Sequence, residues 1–559
     1  MKKLIFALVI VLSLILASVY YLNIYIKIDK TDQLYMMFVD QDNIDEEKIE
    51  LIEYNHLKDE SMLKIDRLKK LNVFVDYDRD EDIVSLSDGQ TLIKYYFGKS
   101  ELKINDELIS QDKAVFIKES EGVYVNFEFV KPYFKIQKVI GEDRKNILLR
   151  NEYKNYSVSS INKSSIIFNK DSIISDNRDT DIINVYKSSG SEEYITGDSG
   201  ENYTEVITPN LIYGLVRKGN VENLKVVKKE ETKLTKDLDK KINLTWEYAA
   251  NGNPNTDDIG YMQGLNVISP IWYALKDTEG NLKSTYGASY YKWAKVRGYN
   301  VWPVVKNDFT NLDKTSAFIK SSSARENLIN RLVADSIANG YDGINVDFEN
   351  MYLEDKYYFS VFISELATML RQNNILLSVD VTVMDGSDNW SKSIDRAEIG
   401  RVIDYLVIMT YDEYWASSPI SGSVASYNWA DRNIKKITDI VPSEKVVLGL
   451  PFYMRVWTET PSKTVANKMN VNSKVLTMKY AKAYIEENEL DLIWDENAKQ
   501  YYSIYIIDGS LNKIWFEDNK SIESKIDIVH KYNLAGVASW RRGFEEESIW
   551  PTIDSALNE

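Results

Sequence analysis

The sequence predicts an α/β protein whose largest part is a (β/α)8 TIM barrel over 241–555, with an α+β insertion between strands seven and eight, preceded by a transmembrane segment and two small β-rich domains. Three observations carry this reading. Eight short apolar runs recur after Lys241, amphipathic helical stretches lie between several of them, and no glycine-rich nucleotide loop follows an early run, which leaves a doubly wound sheet without support. A chain of 559 residues also exceeds one ordinary core, so several domains are expected.

The elements follow in order. Lys2 and Lys3 precede an apolar run from Leu4 to Val19 that continues through Leu22 and Ile24 to Ile26, roughly the 20 residues a helix needs to cross hydrocarbon. Positive charge ahead of it predicts a single-pass membrane anchor over 1–27 with the C-terminal domains extracellular. The small residues Ala17, Ser18 and Val19 give the alternative of a cleaved signal and a secreted protein. A β-rich stem domain is expected over 28–150, because Val73 to Val75, Thr91 to Tyr96, Ala114 to Ile117 and Val123 to Phe127 are short alternating runs broken by Asp, Gly, Ser and Asn. Its segment from Asp106 to Phe134 resembles the small domain at the N-terminus of copper amine oxidases, without bringing copper ligands. A second β-rich block over 155–230, with runs at Ser165 to Phe168, Ile182 to Tyr186 and Tyr213 to Val216, resembles the bacterial SH3-like modules that flank wall-active enzymes. Both blocks read equally as spacers and as wall binders. A solvated linker over 231–240 closes the stem.

In the barrel, the strands are expected at Ile242 to Trp246, Leu265 to Trp272, Asn300 to Val305, Gly343 to Phe348, Ile375 to Val381, Tyr405 to Met409, Lys445 to Pro451 and Gly536 to Ser539. One helix starts at Ser323, with Glu326 closing a capping box, carries Leu328, Ile329, Leu332, Val333 and Ile337 on its apolar side, and stops at Asn339-Gly340. Another covers Tyr357 to Arg371. The surplus over a minimal barrel lies mostly between Lys479 and Glu517.

Composition narrows the function classes. With 85 acidic residues against 68 Lys and Arg, the formal charge is -17, and the densest basic stretch, 225–241, is interleaved with acids, so nucleic acid is not an expected partner. The absence of Cys rules out disulfides, thiolate metal sites and a cysteine nucleophile. Only two His are present, and neither falls at a strand end facing the barrel mouth.

Working residues of such a barrel sit at the C-terminal ends of its strands. Along the fourth, alternation puts Asn345, Asp347 and Glu349 on one face and Ile344, Val346 and Phe348 on the other, so three polar groups point into the mouth while apolar groups pack outward. Carboxylates at this spacing also suit a hard cation. Two so close do not both ionise cheaply, and the proton settles on one. Glu349, nearer the mouth, is placed to give it to a glycosidic oxygen, with Asp347 the neighbour that sets its state. No second carboxylate is obvious as a nucleophile or base. A 2-acetamido sugar supplies its own: the acetamido carbonyl attacks the anomeric carbon while a nearby carboxylate steadies the cationic ring.

The run Asp342-Gly343-Ile344-Asn345-Val346-Asp347-Phe348-Glu349 resembles the DxxDxDxE signature of glycoside hydrolase family 18, in its bacterial branch of spore-cortex and spore-germination peptidoglycan hydrolases. Met409-Thr410-Tyr411-Asp412 resembles the family's MxYD element, 449–453 its seventh strand and Ala538-Ser539-Trp540 its eighth. The resemblance implies a retaining, substrate-assisted glycosidase that needs no cofactor or metal. It makes Glu349 the general acid, Asp347 the residue orienting the acetamido nitrogen, Tyr411 the donor to the acetamido carbonyl, Asp342 a support of the acidic core, Met409 and Asp412 sugar contacts, and Trp540 the floor under the sugar. Asn345 stands where many members have an aspartate, and removes a charge that would tune Asp347.

Trp246, Trp272, Tyr273, Trp302, Tyr414 and Trp415 fall at or just beyond predicted strand ends, where either a sugar platform or ordinary packing fits them. The expected partner is an N-acetylglucosamine polysaccharide of the cell wall, with the membrane reached through the N-terminal helix and the chain monomeric. Cleavage of β-1,4 linkages after N-acetylglucosamine in peptidoglycan is the leading expectation. Chitin or its oligomers, or a membrane-tethered glycan-binding role without catalysis, are the alternatives.

Overall fold

Where the sequence alternates apolar and turn-forming residues, the computed structural model forms sheets, and where apolar positions recur every three or four residues it forms helices. The structure describes residues 34–558 except 41–42, 50–56, 58–60, 111–113, 141–145, 152–155, 162–193, 199–201, 209–210, 212, 228–239, 462–468 and 508. They fall into two compact units, one from 1–75 with 110–233, the other from 76–109 with 234–559.

In the first unit, Leu34–Asp40 lies between antiparallel Asn43–Ile49 and parallel Ile147–Asn151, with Ile136–Ile140 at the edge. Met37, Val39 and Leu148 of this sheet share an apolar cluster with Ile207 and Leu211. A second sheet is antiparallel, in the order Tyr213–Arg217, Tyr203–Ile207, Tyr194–Asp198, Tyr156–Ile161, Val221–Val227. The strands expected at 165–168 and 182–186 lie outside the described residues.

The second unit holds the barrel. Its parallel strands are β1 (Ile242–Glu247), β2 (Val267–Leu275), β3 (Val304–Lys306, led by a short Asn300–Val301), β4 (Gly343–Asp347), β5 (Leu376–Thr382), β6 (Tyr405–Met409), β7 (Val446–Pro451) and β8 (Gly536–Trp540). They pair in chain order, and β8 returns to β1 to close the ring. Side chains from seven strands, among them Leu244, Ile271, Val304, Leu376, Val407, Val447 and Ala538, fill the interior. Between β7 and β8 stand a five-stranded antiparallel sheet, from Tyr453–Pro461 to Ser510–Trp515, and a helix, Met478–Glu487.

The helices that matter for the site are α1 (Leu312–Lys320), α2 (Ser322–Asn339) and α3 (Lys356–Arg371). The cap of α2 is Ser321, whose hydroxyl accepts from the Ala324 amide, rather than Ser323. Glu326 closes no capping box because it is engaged elsewhere: it accepts from the Tyr96 hydroxyl at 2.5 Å and pairs with Lys103 at 2.9 Å. Gly340 ends the helix with φ 71°, a left-handed conformation that favours glycine.

Those partners come from a five-stranded meander, Phe74–Asp78 to Glu107–Ile109, whose residues 76–109 pack with the barrel helices. The contact centres on Arg325 of α2, with no exposed surface, which donates to Asp76 at 2.6 Å and to Glu365 of α3 at 3.0 Å, while the Ser85 hydroxyl donates to the same Glu365. A guanidinium can be buried here because carboxylates and the Ile319 carbonyl take its protons.

The membrane reading is corrected. Among the described residues no helix is long and apolar enough to cross a membrane. The longest of the described helices, α2, has 18 residues, and Glu326, Asn327, Asn330, Arg331 and Asp335 break its apolar character. The transmembrane part of the predicted fold class, the membrane as a partner and the single-pass location are therefore withdrawn; residues 1–27, on which they rested, lie outside the described residues.

Candidate active site

The alternation on β4 is realised. Ile344, Val346 and Phe348 are fully buried, and Phe348 stacks on Phe362 of α3 at 5.6 Å with Phe318 and Phe359 around it. This apolar anchor fixes the strand's rotation, so Asn345, Asp347 and Glu349 face the other way, into the barrel mouth.

Glu349 lies just beyond the strand, and a residue that sequence reasoning passed over holds it there. The Glu349 amide donates to Asn307 Oδ1 at 3.0 Å, and Asn307 Nδ2 donates to the Glu349 carbonyl at 2.8 Å. Asn307 follows β3 directly, is buried, and also reaches the Thr315 hydroxyl of α1 at 3.1 Å. The only signal for it was position, one residue past a strand end.

Asn345 is completely buried and its amide is fully used. Its Oδ1 accepts from Trp246 Nε1 at 3.2 Å, and its Nδ2 donates to Ser378 Oγ and Asp380 Oδ1, both at 2.8 Å. Asp380, on β5, is a second residue that sequence reasoning missed. Its signal was a lone acid in the otherwise apolar run of β5, on the same face as Ser378.

The electrostatics follow from this crowding. Burial pushes the Glu349 carboxyl up, and the neighbouring Asp347 and Asp412 charges push it further, to about 8, against the opposing pull of Lys306. Burial likewise raises Asp347, to about 6, with Lys306 again opposing. Burial, then Asp347, raises Asp380 well above the usual carboxylate range. Tyr411, at the end of β6, is kept a neutral hydrogen-bond donor by burial and by facing Tyr453, Asp380, Asp347 and Glu349. The arrangement thus joins an acid that keeps its proton at neutral pH, an adjacent carboxylate and a neutral phenol.

Other predicted site residues take different places. Asp412 adopts φ 58° and accepts from the Tyr453 hydroxyl at 2.7 Å, with Arg455 at 3.6 Å, so it stands at the rim. Met409 ends β6 beside it, and Trp540 ends β8, partly buried against the barrel core and 5.9 Å from Trp246. Asp342 lies at the opposite end of β4, where its Oδ2 takes the Val301 amide at 2.9 Å and Lys295 at 2.7 Å; it braces the strand's start and does not join the acidic cluster. Tyr414 is partly buried against Gly422, where a Cβ would come within 2.3 Å of its ring.

Three tryptophans offered as sugar platforms are packing residues. Trp302, 1% exposed, stacks on Tyr405 at 5.6 Å inside the barrel; Trp272, 1% exposed, sits among Tyr286, Tyr290 and Tyr341; Trp246, 2% exposed, serves the Asn345 amide. None presents an open ring face, because each was drawn into the space between strands or between strand and helix. Exposed rings include Trp415, Phe309 and Trp390, the last two 6.3 Å apart.

Residues 305–545 match Glycosyl hydrolases family 18, and residues 55–149 match the Copper amine oxidase N-terminal domain. The uncharacterized glycosylase YvbX of Bacillus subtilis is 26% identical over 320 residues, covering 52% of this chain and 85% of that protein. The cortical fragment-lytic enzyme of Bacillus subtilis is 21% identical over 250 residues, covering 43% of this chain and 55% of its own length, so the chain spans about half of that relative. Among solved structures, the C-terminal domain of a putative chitinase from Desulfitobacterium hafniense superposes with a TM-score of 0.50 at 24% identity, over 57% of this chain and all of that one, which shows the barrel fold.

Proposed function

From the premise that residues 305–545 are a glycosyl hydrolase family 18 domain, and so a glycosidase acting on N-acetylglucosamine polymers, we propose that the chain hydrolyses β-1,4 linkages after N-acetylglucosamine in chitin-type chains and their oligomers. The observation that carries the reading is the pair at the end of β4: a carboxyl raised to about 8 on a clamped backbone, beside a carboxylate and a neutral tyrosine.

In this reading Glu349 protonates the leaving oxygen, which needs a group still protonated near neutral pH. Tyr411 donates to the acetamido carbonyl as that oxygen attacks the anomeric carbon. Asp347 accepts from the acetamido N–H and balances the charge that develops on the ring. Glu349, now ionised, takes a proton from the incoming water, so configuration is retained. Asp412 and Met409 serve as sugar contacts and Trp540 as the floor under the sugar.

Support for chitin-type substrates comes from the likeness to Chitinase 1 of Aphanocladium album, 31% identical over 142 residues. Peptidoglycan is the second reading, favoured by the likeness to a cortical fragment-lytic enzyme. A glycan-binding role without catalysis has less support, because the acid and its clamp are intact.

The test is parallel digestion of N-acetylglucosamine oligomers and purified peptidoglycan, with product mass, reducing-end identity and the first-formed anomer read out, and Glu349→Gln as the control. Retained β-anomers from the oligomers support the proposal. Release from peptidoglycan alone moves the substrate to the second reading, and wild-type turnover matched by Glu349→Gln would remove the mechanism.

A further inference from the structure

The acidic core lacks a carboxylate at position 345, and the structure returns one from the next strand. In the pairing of β4 with β5, Asn345 lies opposite Ser378 and Val346 opposite Val379; the same register carried one residue on brings Asp347 beside Asp380, whose carboxyl feels the Asp347 charge. On the other side, β3 sets Lys306 opposite Asp347. Three neighbouring strands, spaced roughly 4.8 Å apart, thus carry a cation, a carboxyl and a second carboxyl in one row.

The hydrogen bonds around this row leave one gap. Both Asn345 Nδ2 protons are committed, to Ser378 and Asp380, so Asn345 has none for Asp347. Asp347 Oδ1 is sealed from solvent and has no partner. An ionised oxygen in that state would be costly, whereas a neutral carboxyl beside it carries one O–H to give. Asp380 is 2% exposed, and the groups facing it are Asn345, Asp347 and Glu349 from the β4 side, Trp246 from β1 and Tyr411 from β6. No cation is among them, while Lys306 faces Asp347. Two adjacent carboxyls cannot both ionise cheaply, so the charge goes to the one with the lysine and the proton to the other.

We propose that Asp380 is a positioning residue for the hydrolysis: it stays protonated, donates its O–H to Asp347 Oδ1, and so holds Asp347 as the anion whose other oxygen meets the substrate amide. The proposal rests on the substrate-assisted reading for its catalytic consequence, but not for the location of the proton. Burial, foremost, and the Asp347 charge act in the same direction on Asp380. The carboxyl that position 345 lacks is thus supplied from β5, and Asn345 becomes the bracket that orients it.

The experiment uses the full chain in wild type, Asp380→Ala, Asp380→Asn, Glu349→Gln and the double variant Asn345→Asp/Asp380→Ala. Asp380→Ala should lower kcat on an N-acetylglucosamine oligomer by at least about tenfold and move the acid limb of the kcat profile up by about one pH unit, since Asp347 loses the donor that favours its anion. KM should change less than kcat. Asp380→Asn, whose amide can also donate, should recover much of the loss, and so should the double variant, which restores a carboxyl on β4. A purely structural role would lower activity at every pH and leave the limb in place; that result, or no recovery in either rescue, overturns the proposal. Infrared difference spectra read the proton directly: Glu349→Gln should keep a protonated-carboxyl stretch at neutral pH, and Asp380→Asn in that background should lose it. If that band is absent from Glu349→Gln or survives Asp380→Asn, the proposal fails, whatever the enzyme cleaves. If wild type cleaves no N-acetylated glycan, the proposed function fails, and the infrared result still decides the protonation.

Discussion

Among the buried clusters of charge described in the barrel unit, two are built on opposite principles. Under the meander, Glu365 and Asp76 meet Arg325 and Lys94. Burial pushes both carboxyls up; at Glu365, Arg325 and Lys94 outweigh it and hold the carboxyl below its ordinary value, whereas Asp76 stays raised despite Arg325. At the barrel mouth, Lys306 opposes the rise of Glu349 and Asp347 without outweighing their burial, and these two carboxyls and Asp380 are all raised. The compensated cluster locks two layers together. The undercompensated one stores protons and so has chemistry to offer, at a cost in stability that the rest of the barrel offsets.

The sharpest way to break this contrast is Glu349→Gln, which should reduce kcat by about 10²–10⁴-fold without lowering Tm, since it replaces a strained acid by a neutral amide. A fall in Tm at unchanged activity would show that both clusters are structural. Arg325→Met should do the reverse: about 3–5 kcal/mol less stable toward urea, because Glu365 and Asp76 are left buried without their cation, with kcat of the folded fraction retained. Asn307→Ala comes next. It strips the Glu349 amide and carbonyl of their side-chain partner, a loss of about 1–3 kcal/mol for an unsatisfied buried group, and should appear in kcat more than in KM because the acid loses its placement.

The pH dependence separates the clusters further. Glu349 must hold a proton to act, so kcat should fall as pH rises through about 8, and Glu349→Gln should show no such limb. A carboxyl raised in the folded state favours folding only while protonated. Stability from this group is therefore full below its unfolded value of 4.5 and is lost as pH rises toward about 8; the decline in Tm across that window should be shallower in Glu349→Gln. The smallest effect is expected from Lys295→Met, which removes a partly exposed pair with Asp342 worth about 0–1 kcal/mol; a larger loss of activity would tie the base of β4 to the mouth more closely than the geometry does.

The barrel was legible because its signals are periodic. Eight apolar runs fell within a few residues of the eight strands, and the alternation through 344–349 placed Phe348 outward and Glu349 inward. The tryptophans were not legible: Trp302 and Trp272 sit at strand ends in the sequence, but whether a ring there faces solvent or a neighbouring Tyr405 or Tyr341 depends on contacts far apart in the chain. Asp380 and Asn307 were missed for the same reason, since each acquires its role from a residue on another strand. Ser323 was preferred over Ser321 because nothing local announced that Glu326 would be taken by Tyr96 and Lys103. The apolar run at 4–26 obeyed the length rule for a span, yet the described helices give it no counterpart.

The clasp between Asn307 and the backbone of Glu349 has a consequence for how this surface can change. The acid is moored to the strand beside it rather than to the segment that follows, so the stretch after position 350, which carries the left-handed turn at Asn350, is released from any duty of aiming it. A change in the exposed part of that stretch would leave the Glu349 backbone in its clasp so long as Met351, buried and donating its amide to the Asn389 carbonyl, keeps its place.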